Sequence, residues 1–171
     1  MTGRERLTRV LKGELPDCVP VAPDFSNMIP AKLTGKPFWD LYLFQDPPIW
    51  EAYIACAKRF NIDSLMDGYF PLRFPEETAS ARPPRERFII ECSPERIITQ
   101  DCAVDNGKRT WAPTVDIFPV ADPPSRGIRT DKVGLPAVPR KWEPIEGVKP
   151  IDQGPTGFQR IQALMGEQGL V

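Results

Sequence analysis

Apolar residues near the N-terminus recur at the spacing of an α-helix. Thr2 and Glu5 stand three residues apart, which is the pattern of a capping box. Leu7, Val10 and Leu11 follow at helical spacing. The pattern predicts a first helix that ends at the glycine and proline that come next.

Two further segments have helical periodicity. Asp46-Pro47-Pro48 is typical of an N-cap followed by proline at the first helical position. One apolar face then continues to Asn61, so a helix is predicted between these points. A last helix is predicted to begin near Pro155. Residues 28–43 contain prolines, a glycine and bulky side chains, and they favour short helical turns packed on a core.

Short apolar runs predict strands on both sides of the central helix. The first run spans residues 19–24 and the second spans residues 64–67. A strand, a helix and a strand in this order are typical of a βαβ unit in a parallel sheet. Leu170-Val171 has the pattern of the first residues of a further strand.

The periodicity changes in the middle of the chain. Residues 85–115 contain three short strand patterns separated by Ser93-Pro94 and Asp105-Asn106-Gly107, the second of which is an Asn-Gly hairpin signal. An antiparallel β-meander is therefore predicted here. Residues 116–154 are rich in proline and have little periodicity, so they are expected to be a connection without regular structure. The predicted fold class is α/β with an inserted meander.

Composition excludes several kinds of function. A chain of 171 residues has the size of one domain, and its net charge of -1 with no long run of like charges argues against nucleic-acid binding. No apolar stretch is long enough to span a membrane, and the polar N-terminus is unlike a signal peptide, so we expect a cytoplasmic protein. The chain has no histidine, which excludes His-based catalysis and His-ligated zinc within it. Its four cysteines form no C-x-x-C pair and are expected to be reduced and mostly buried.

Several motifs occur together in a specific order in the first part of the chain. The chain reads R-E-R-L-T-R-V-L-K-G-E-L-P-D-C-V-P-V from Arg4 to Val21. Leu33-Thr34-Gly35 follows, then Asp46-Pro47 with Glu51-Ala52, and then Arg59-Phe60-Asn61-Ile62-Asp63. Together these motifs resemble the N-terminal part of the uroporphyrinogen decarboxylase family, and the likeness is strongest over residues 4–70.

The resemblance implies a (β/α)8 barrel. Such a barrel needs about 250 residues, so residues 1–171 are expected to form one partial domain, the N-terminal portion of a longer enzyme. That portion would contain two strands, the meander insertion at 85–115, the proline-rich connection at 116–154 and the helix before a third strand. Its uncovered barrel edge is expected to allow self-association.

The family contains tetrapyrrole decarboxylases and zinc-dependent, corrinoid-linked methyltransferases. The decarboxylases are expected to carry an arginine-rich segment after the first strand, and residues 24–28 contain no arginine. This difference favours methyl transfer involving a corrinoid and a zinc-activated thiol. The zinc ligands would then follow residue 171, so this chain is expected to hold no cofactor and to be inactive alone. The whole protein would act on a small-molecule substrate or a corrinoid protein. The alternatives are a uroporphyrinogen decarboxylase proper and a non-enzymatic binding module.

Candidate site residues follow the two predicted parallel strands, because barrel active sites lie at the C-terminal strand ends. Asp24 closes the first strand and Asp67 closes the second, with Asn27 and Tyr69 just beyond them. These four residues are the candidates for a substrate pocket. Each has a purely structural alternative: Asp24 could cap a turn with Asn27, Asp67 could form an Asp-Gly turn, and Tyr69 could pack among apolar neighbours.

Three arginines of the first helix also have a functional and a structural interpretation. Arg4, Arg6 and Arg9 could together bind a phosphate group. On an amphipathic helix, however, charged residues usually form the solvated face. We therefore expect no phosphate site there.

Overall fold

A computed structural model describes residues 1–24, 26–65, 85–150 and 154–171. The described chain has a mixed α/β structure with an open, five-stranded antiparallel sheet. It divides into two compact units. The first contains described residues of Met1–Gly35, Pro47–Thr78 and Pro150–Val171, and the second contains those of Lys36–Asp46 and Ala79–Lys149. Within the described residues, no helix has the length and apolar character needed to cross a membrane.

The first helix, α1, spans Gly3–Leu11, and its predicted capping box is confirmed. The Glu5 amide donates to Thr2 Oγ1 at 3.2 Å, and the Thr2 amide donates to Glu5 Oε2 at 2.8 Å. The apolar face of α1 is not fully buried, because Val10 is 45% exposed and Leu11 is 78% exposed. The spacing of the apolar residues therefore predicted the helix correctly, but these two residues do not pack in a core.

Three more helices lie in the first unit. They are α2 at Met28–Leu33, α3 at Ile49–Phe60 and α4 at Gly154–Met165, and a short 3-10 turn, Gly166–Gln168, follows α4. The predicted end of α3 is confirmed, since Asn61 adopts the left-handed conformation with φ 54°. Its predicted cap is wrong. Pro48 occupies the N-cap position, and the Asp46 carboxylate is instead paired with Lys36 and Lys149.

The core of the first unit joins α3 to α4. Apolar side chains of these helices pack with Ile62 and Leu65, and Val171 packs against the same cluster. The buried members on the two helices are Trp50, Tyr53, Ile54, Ala57, Ile161 and Met165. Both helices therefore lie against the same extended segments.

The second unit is built on the antiparallel sheet. Its strands are β1 (Arg85–Cys92), β2 (Arg96–Asp105), β3 (Lys108–Pro119), β4 (Ser125–Arg129) and β5 (Glu143–Pro144). The spatial order is β4-β3-β2-β1-β5. Both predicted hairpin turns are confirmed, and Asn106 and Gly107 have φ values of 48° and 78°, as a type I′ turn requires.

The predicted limits of the meander are too narrow. β3 continues to Pro119, and the segment expected to lack regular structure contains β4, β5 and a 3-10 turn at Thr130–Val133. These elements escape a periodicity analysis because they are short. In addition, Pro144 pairs on an edge strand, which is where a sheet tolerates proline.

Both faces of the central strand β2 are covered. Four consecutive residues, from Ile97 to Gln100, are buried. Ile97 packs with Phe118 and Leu43, the last of which belongs to a π-helical turn at Asp40–Phe44. A two-sided strand of this kind reads as a continuous buried run rather than as an alternation.

Candidate functional site

The segment predicted as the first strand is extended but forms no strand. Val19 is 84% exposed, and residues 19–24 carry no regular strand pairing. One point of pairing exists: the Asp63 amide donates to the Val21 carbonyl at 2.8 Å. The prediction of a strand at 19–24 is therefore wrong, although Val21 pairs with Asp63, directly before the segment that was predicted as the neighbouring strand.

Asp63 is the buried charged group at this point. Its side chain is 4% exposed. Oδ2 accepts a hydrogen bond from the Val21 amide at 2.7 Å, and Oδ1 accepts one from Arg6 Nη1 at 3.3 Å. Because both carboxylate oxygens already have donors, Asp63 joins α1 to the extended segment rather than acting as a free base.

Arg6 carries this network to the surface. Its guanidinium donates to both carboxylate oxygens of Asp17, at 2.7 and 3.3 Å. The α-amino group of Met1 lies 3.2 Å from the same carboxylate. The hydrogen bond from Arg6 holds the pKa of Asp17 well below its ordinary value, and Asp17 in turn raises the pKa of Arg6.

A third extended segment pairs on the other side of Asp63. The Leu170 amide donates to the Asp63 carbonyl at 3.1 Å, and the Leu65 amide donates to the Leu170 carbonyl at 3.2 Å. Ser64 and Leu170 form a parallel bridge. Asp63 thus contacts the segments before and after it, and the predicted strand at 64–67 is observed as this single bridge over its described residues.

Two glycines permit the close approach around Asp63. A Cβ atom at Gly3 would lie 2.5 Å from Asp63 Oδ1 and 1.9 Å from the Gln168 carbonyl oxygen. A Cβ atom at Gly169 would lie 1.8 Å from the Asp63 carbonyl oxygen. Backbone at this separation excludes any side chain, so both positions require glycine.

The predicted pocket residues are only partly within the described chain. Asp24 is exposed, and Asn27 is half-buried at the N-cap position of α2, where its side chain makes no capping hydrogen bond. Asp67 and Tyr69 lie outside the described residues. The structure therefore brings Asp24 and Asn27 near one end of the same extended segment, and the pairing of Asp24 with Asp67 stays a prediction.

Asp63 was not among the predicted site residues. Its sequence signal is an acidic residue directly before the buried pattern Ser64-Leu65. A charge at the start of a buried strand needs a partner, and Arg6 on the first helix has the opposite charge. That signal does not identify which arginine is the partner, since three arginines occur on α1.

The arginines of α1 act within the fold. Arg4 donates to the Gly166 carbonyl at 2.9 and 3.1 Å, and Arg9 donates to the Leu15 carbonyl at 3.5 Å. With Arg6 bound to Asp17 and Asp63, each has a structural contact. The expectation that they form only a solvated face is therefore corrected.

The cysteines and acidic residues form no metal cluster in the part of the chain that the structure describes. Cys56 and Cys102 are buried, whereas Cys18 and Cys92 are exposed. The expectation of mostly buried thiols holds for two of the four. Burial raises the pKa of the Cys56 thiol, which keeps it protonated and unreactive at neutral pH.

Comparison of the chain with models of known protein families finds no match, and comparisons with curated proteins and with solved structures find none either. What the chain does is therefore inferred from its residues and from their geometry.

Proposed function

We propose that this chain forms the N-terminal βα units of a (β/α)8 enzyme of the uroporphyrinogen decarboxylase family, of the branch that transfers a methyl group with a corrinoid and a zinc-activated thiol. The observation that carries the proposal is the order of the extended segments in the first unit. Val21 pairs with Asp63, and residues 63–65 pair with Leu170. Neighbours in space follow each other in the chain, as in a barrel.

The helices support the same arrangement. α3 lies between the first and second extended segments, and α4 precedes the third. Both pack in one core with Ile62, Leu65 and Val171. Helices on one side of successive parallel segments are expected of a barrel, whereas an open doubly wound sheet carries helices on both faces.

The antiparallel unit fits an insertion in such a barrel. Its sheet occupies the chain between the second extended segment and α4, and the unit also includes Lys36–Asp46, between α2 and α3. Its strands pair only among themselves within the described residues. A separate sheet at this position leaves the order of the parallel segments unchanged, as the resemblance predicts for the meander.

The choice of branch depends on charge beside the expected pocket. Residues 24–28 contain no arginine or lysine, and Asp24 is exposed at the start of this stretch. A carboxylate repels a substrate that itself carries several carboxylates. The segment is therefore unsuited to binding a polycarboxylate tetrapyrrole and compatible with a methyl acceptor or donor.

Zinc does not fit the residues of this chain that the structure describes. Zinc sites in proteins use three or four nitrogen, sulfur or carboxylate ligands close together. The chain has no histidine, and its described residues contain no group of three such ligands. The ligands of a catalytic zinc would have to come from other residues, so no chemical step is assigned to zinc here.

The test is the coding sequence that follows codon 171 and the protein it encodes. We expect further βα units with a His-x-Cys motif and a later cysteine, one bound zinc per molecule, and methyl transfer from methylcobalamin to a thiol. Decarboxylation of uroporphyrinogen without methyl transfer would overturn the choice of branch. A reading frame without further βα units would overturn the barrel and favour the binding module.

A further inference from the structure

A cleft of about 470 Å³ lies on the sheet unit, and all its lining residues belong to that unit. Its volume is within the range of small-molecule sites. Most of the lining residues are apolar, and two consecutive residues of the lining are cationic. The residues that line it include Ile90, Leu135, Pro136, Pro139, Arg140 and Lys141.

One lining residue of the cleft, Ile90, lies at an irregularity of β1. The register between β1 and β2 shifts between Ile89 and Glu91, which makes Ile90 the extra residue of a β-bulge. Bulges redirect a side chain relative to the regular sheet and are common beside functional sites. The bulge thus accounts for the half-buried Ile90 side chain in the cleft.

The loop that supplies the other lining residues is fixed at several places. Gln100 Nε2 donates to the Ala137 carbonyl at 3.0 Å, and the Leu135 amide donates to the Thr130 carbonyl at 2.9 Å. Past the cationic pair, the ring of Trp142 lies edge-on to that of Trp111, with centroids 5.4 Å apart. A wall held in this way loses little conformational entropy when a ligand binds.

The two cations of the cleft have no acidic partner among the residues that the structure describes. Arg140 and Lys141 are exposed and make no hydrogen bond or ion pair with any other residue in the described ranges. Two other arginines of the same unit are paired, Arg87 with Asp101 and Asp116, and Arg129 with Asp131. Uncompensated positive charge next to apolar walls favours an anionic group on an apolar body.

We propose that this cleft binds a small organic carboxylate. The apolar body would lie against Ile90, Leu135 and the prolines, and the carboxylate would lie between Arg140 and Lys141. The guanidinium of Arg140 can donate two parallel hydrogen bonds to a carboxylate, and Lys141 adds a point charge. This site is independent of the proposed methyl transfer, since all its residues belong to the sheet unit.

The experiment measures binding of three probes to the full chain by isothermal titration calorimetry. The probes are 2-naphthoate, 2-naphthylmethanol and acetate, which separate the charge from the apolar body. We expect one 2-naphthoate per chain. The neutral alcohol and acetate should each bind at least about tenfold more weakly, because each lacks one half of the recognised chemistry.

Three variants that each remove one positive charge locate the site. Arg140→Gln and Lys141→Gln should each weaken 2-naphthoate binding by about tenfold. The control is Lys108→Gln at the hairpin turn, where β2 and β3 meet, and it should leave the affinity unchanged. All three side chains are exposed, so circular dichroism should find the same fold in each variant.

Three outcomes would overturn the proposal. The first is that 2-naphthoate does not bind. The second is that it binds equally well to the Arg140 and Lys141 variants, which would locate the probe elsewhere, such as on apolar residues of the first unit. The third is equal weakening by Lys108→Gln, which would mean attraction by net charge only.

Discussion

At the scale of single residues, Asp63 is the group on which the first unit depends most. A buried carboxylate is unfavourable unless it is paired and hydrogen-bonded. Here a backbone amide and a guanidinium satisfy it, and they come from segments distant in the chain, at Val21 and Arg6. Removal of the carboxylate would leave the part-buried Val21 amide without its acceptor and Arg6 with Asp17 as its remaining carboxylate partner.

We predict that Asp63→Ala destabilises the first unit by about 3 kcal/mol. Asp63→Asn should cost less, because it retains an acceptor for the Val21 amide and loses only the charge opposite Arg6. The measurement is urea unfolding followed by helical circular dichroism, since α1 to α4 all belong to this unit. Asp24→Ala is the control, and as an exposed residue it should change the unfolding free energy by less than about 0.5 kcal/mol. Equal effects of the Asp63 and Asp24 variants would contradict the structural role of Asp63.

Asp17 determines a second prediction, on pH. Its pKa in the folded chain lies well below the ordinary value of 3.8, because Arg6 and the Met1 amino group favour the ionised form. A lowered folded pKa stabilises the fold above the unfolded pKa, and that stabilisation is lost as the pH falls toward the folded pKa. Thermal unfolding should therefore find wild type more stable than Asp17→Asn at neutral pH. The difference should shrink as the pH falls below about 4.

The Asp17→Asn variant will still lose stability as the pH falls. The pKa values of Asp46 and Asp131 are also lowered by neighbouring cations, so both contribute in wild type and variant alike. The informative quantity is the difference between the two melting temperatures. A difference that stays constant down to strongly acidic pH would mean that the Arg6 pair adds no stability.

At the scale of elements, the sequence predicts best what short-range chemistry determines. The capping box of α1, the left-handed Asn61 at the end of α3 and the Asn-Gly hairpin all depend on neighbouring residues and are observed. A strand instead depends on a distant partner, which local periodicity does not contain. For this reason the run at 19–24 is extended without being a strand, and β5 was missed although its two residues pair with Phe88 and Ile89.

The same reasoning explains what could be predicted of the candidate site. Asp24 and Asn27 were identified by position after an apolar run, which is a local property. The role of Asp63 instead depends on contacts with Val21, Arg6 and Leu170, which are distant in the chain. The cleft beside β1 also could not be predicted from neighbouring residues. Ile90 and Arg140 line the same cleft although they are distant in the chain, and the strand β5, which follows Arg140, pairs with β1.

The hairpin between β2 and β3 gives a prediction at this scale. Gly107 has φ 78°, where a Cβ atom is unfavourable, so Gly107→Ala should destabilise the sheet by about 1 kcal/mol. Amide hydrogen exchange of β2 and β3 would measure the change directly. Lys108→Ala, one residue further on and exposed, is the control and should have little effect. Unchanged exchange in Gly107→Ala would mean that the turn conformation does not limit the stability of the sheet.

At the scale of the whole molecule, the first unit has many large apolar side chains that are exposed. α1 and the segment after it contribute several, and α2, α3 and α4 contribute others. The exposed positions are Val10, Leu11, Leu15, Val19, Val21, Ile29, Leu33, Phe60 and Leu164. Scattered exposed apolar residues are ordinary, but the uncovered edge expected of a partial barrel would bring such residues into one surface that binds another protein surface. In the proposed barrel, further βα units would cover part of this surface.

The chain alone should therefore self-associate through the first unit. Leu11 and Leu15 are 78% and 89% exposed, so Leu11→Glu with Leu15→Glu should weaken association while leaving the melting temperature nearly unchanged. Size-exclusion chromatography with light scattering, over a series of protein concentrations, gives the mass of the species present. The matched control is Val138→Glu with Val148→Glu, which adds the same charge at exposed apolar positions of the sheet unit. A monomer at every concentration, or equal weakening by both pairs, would contradict association through the first unit, because the apolar faces of a partial barrel should attract one another more strongly than the sheet unit does.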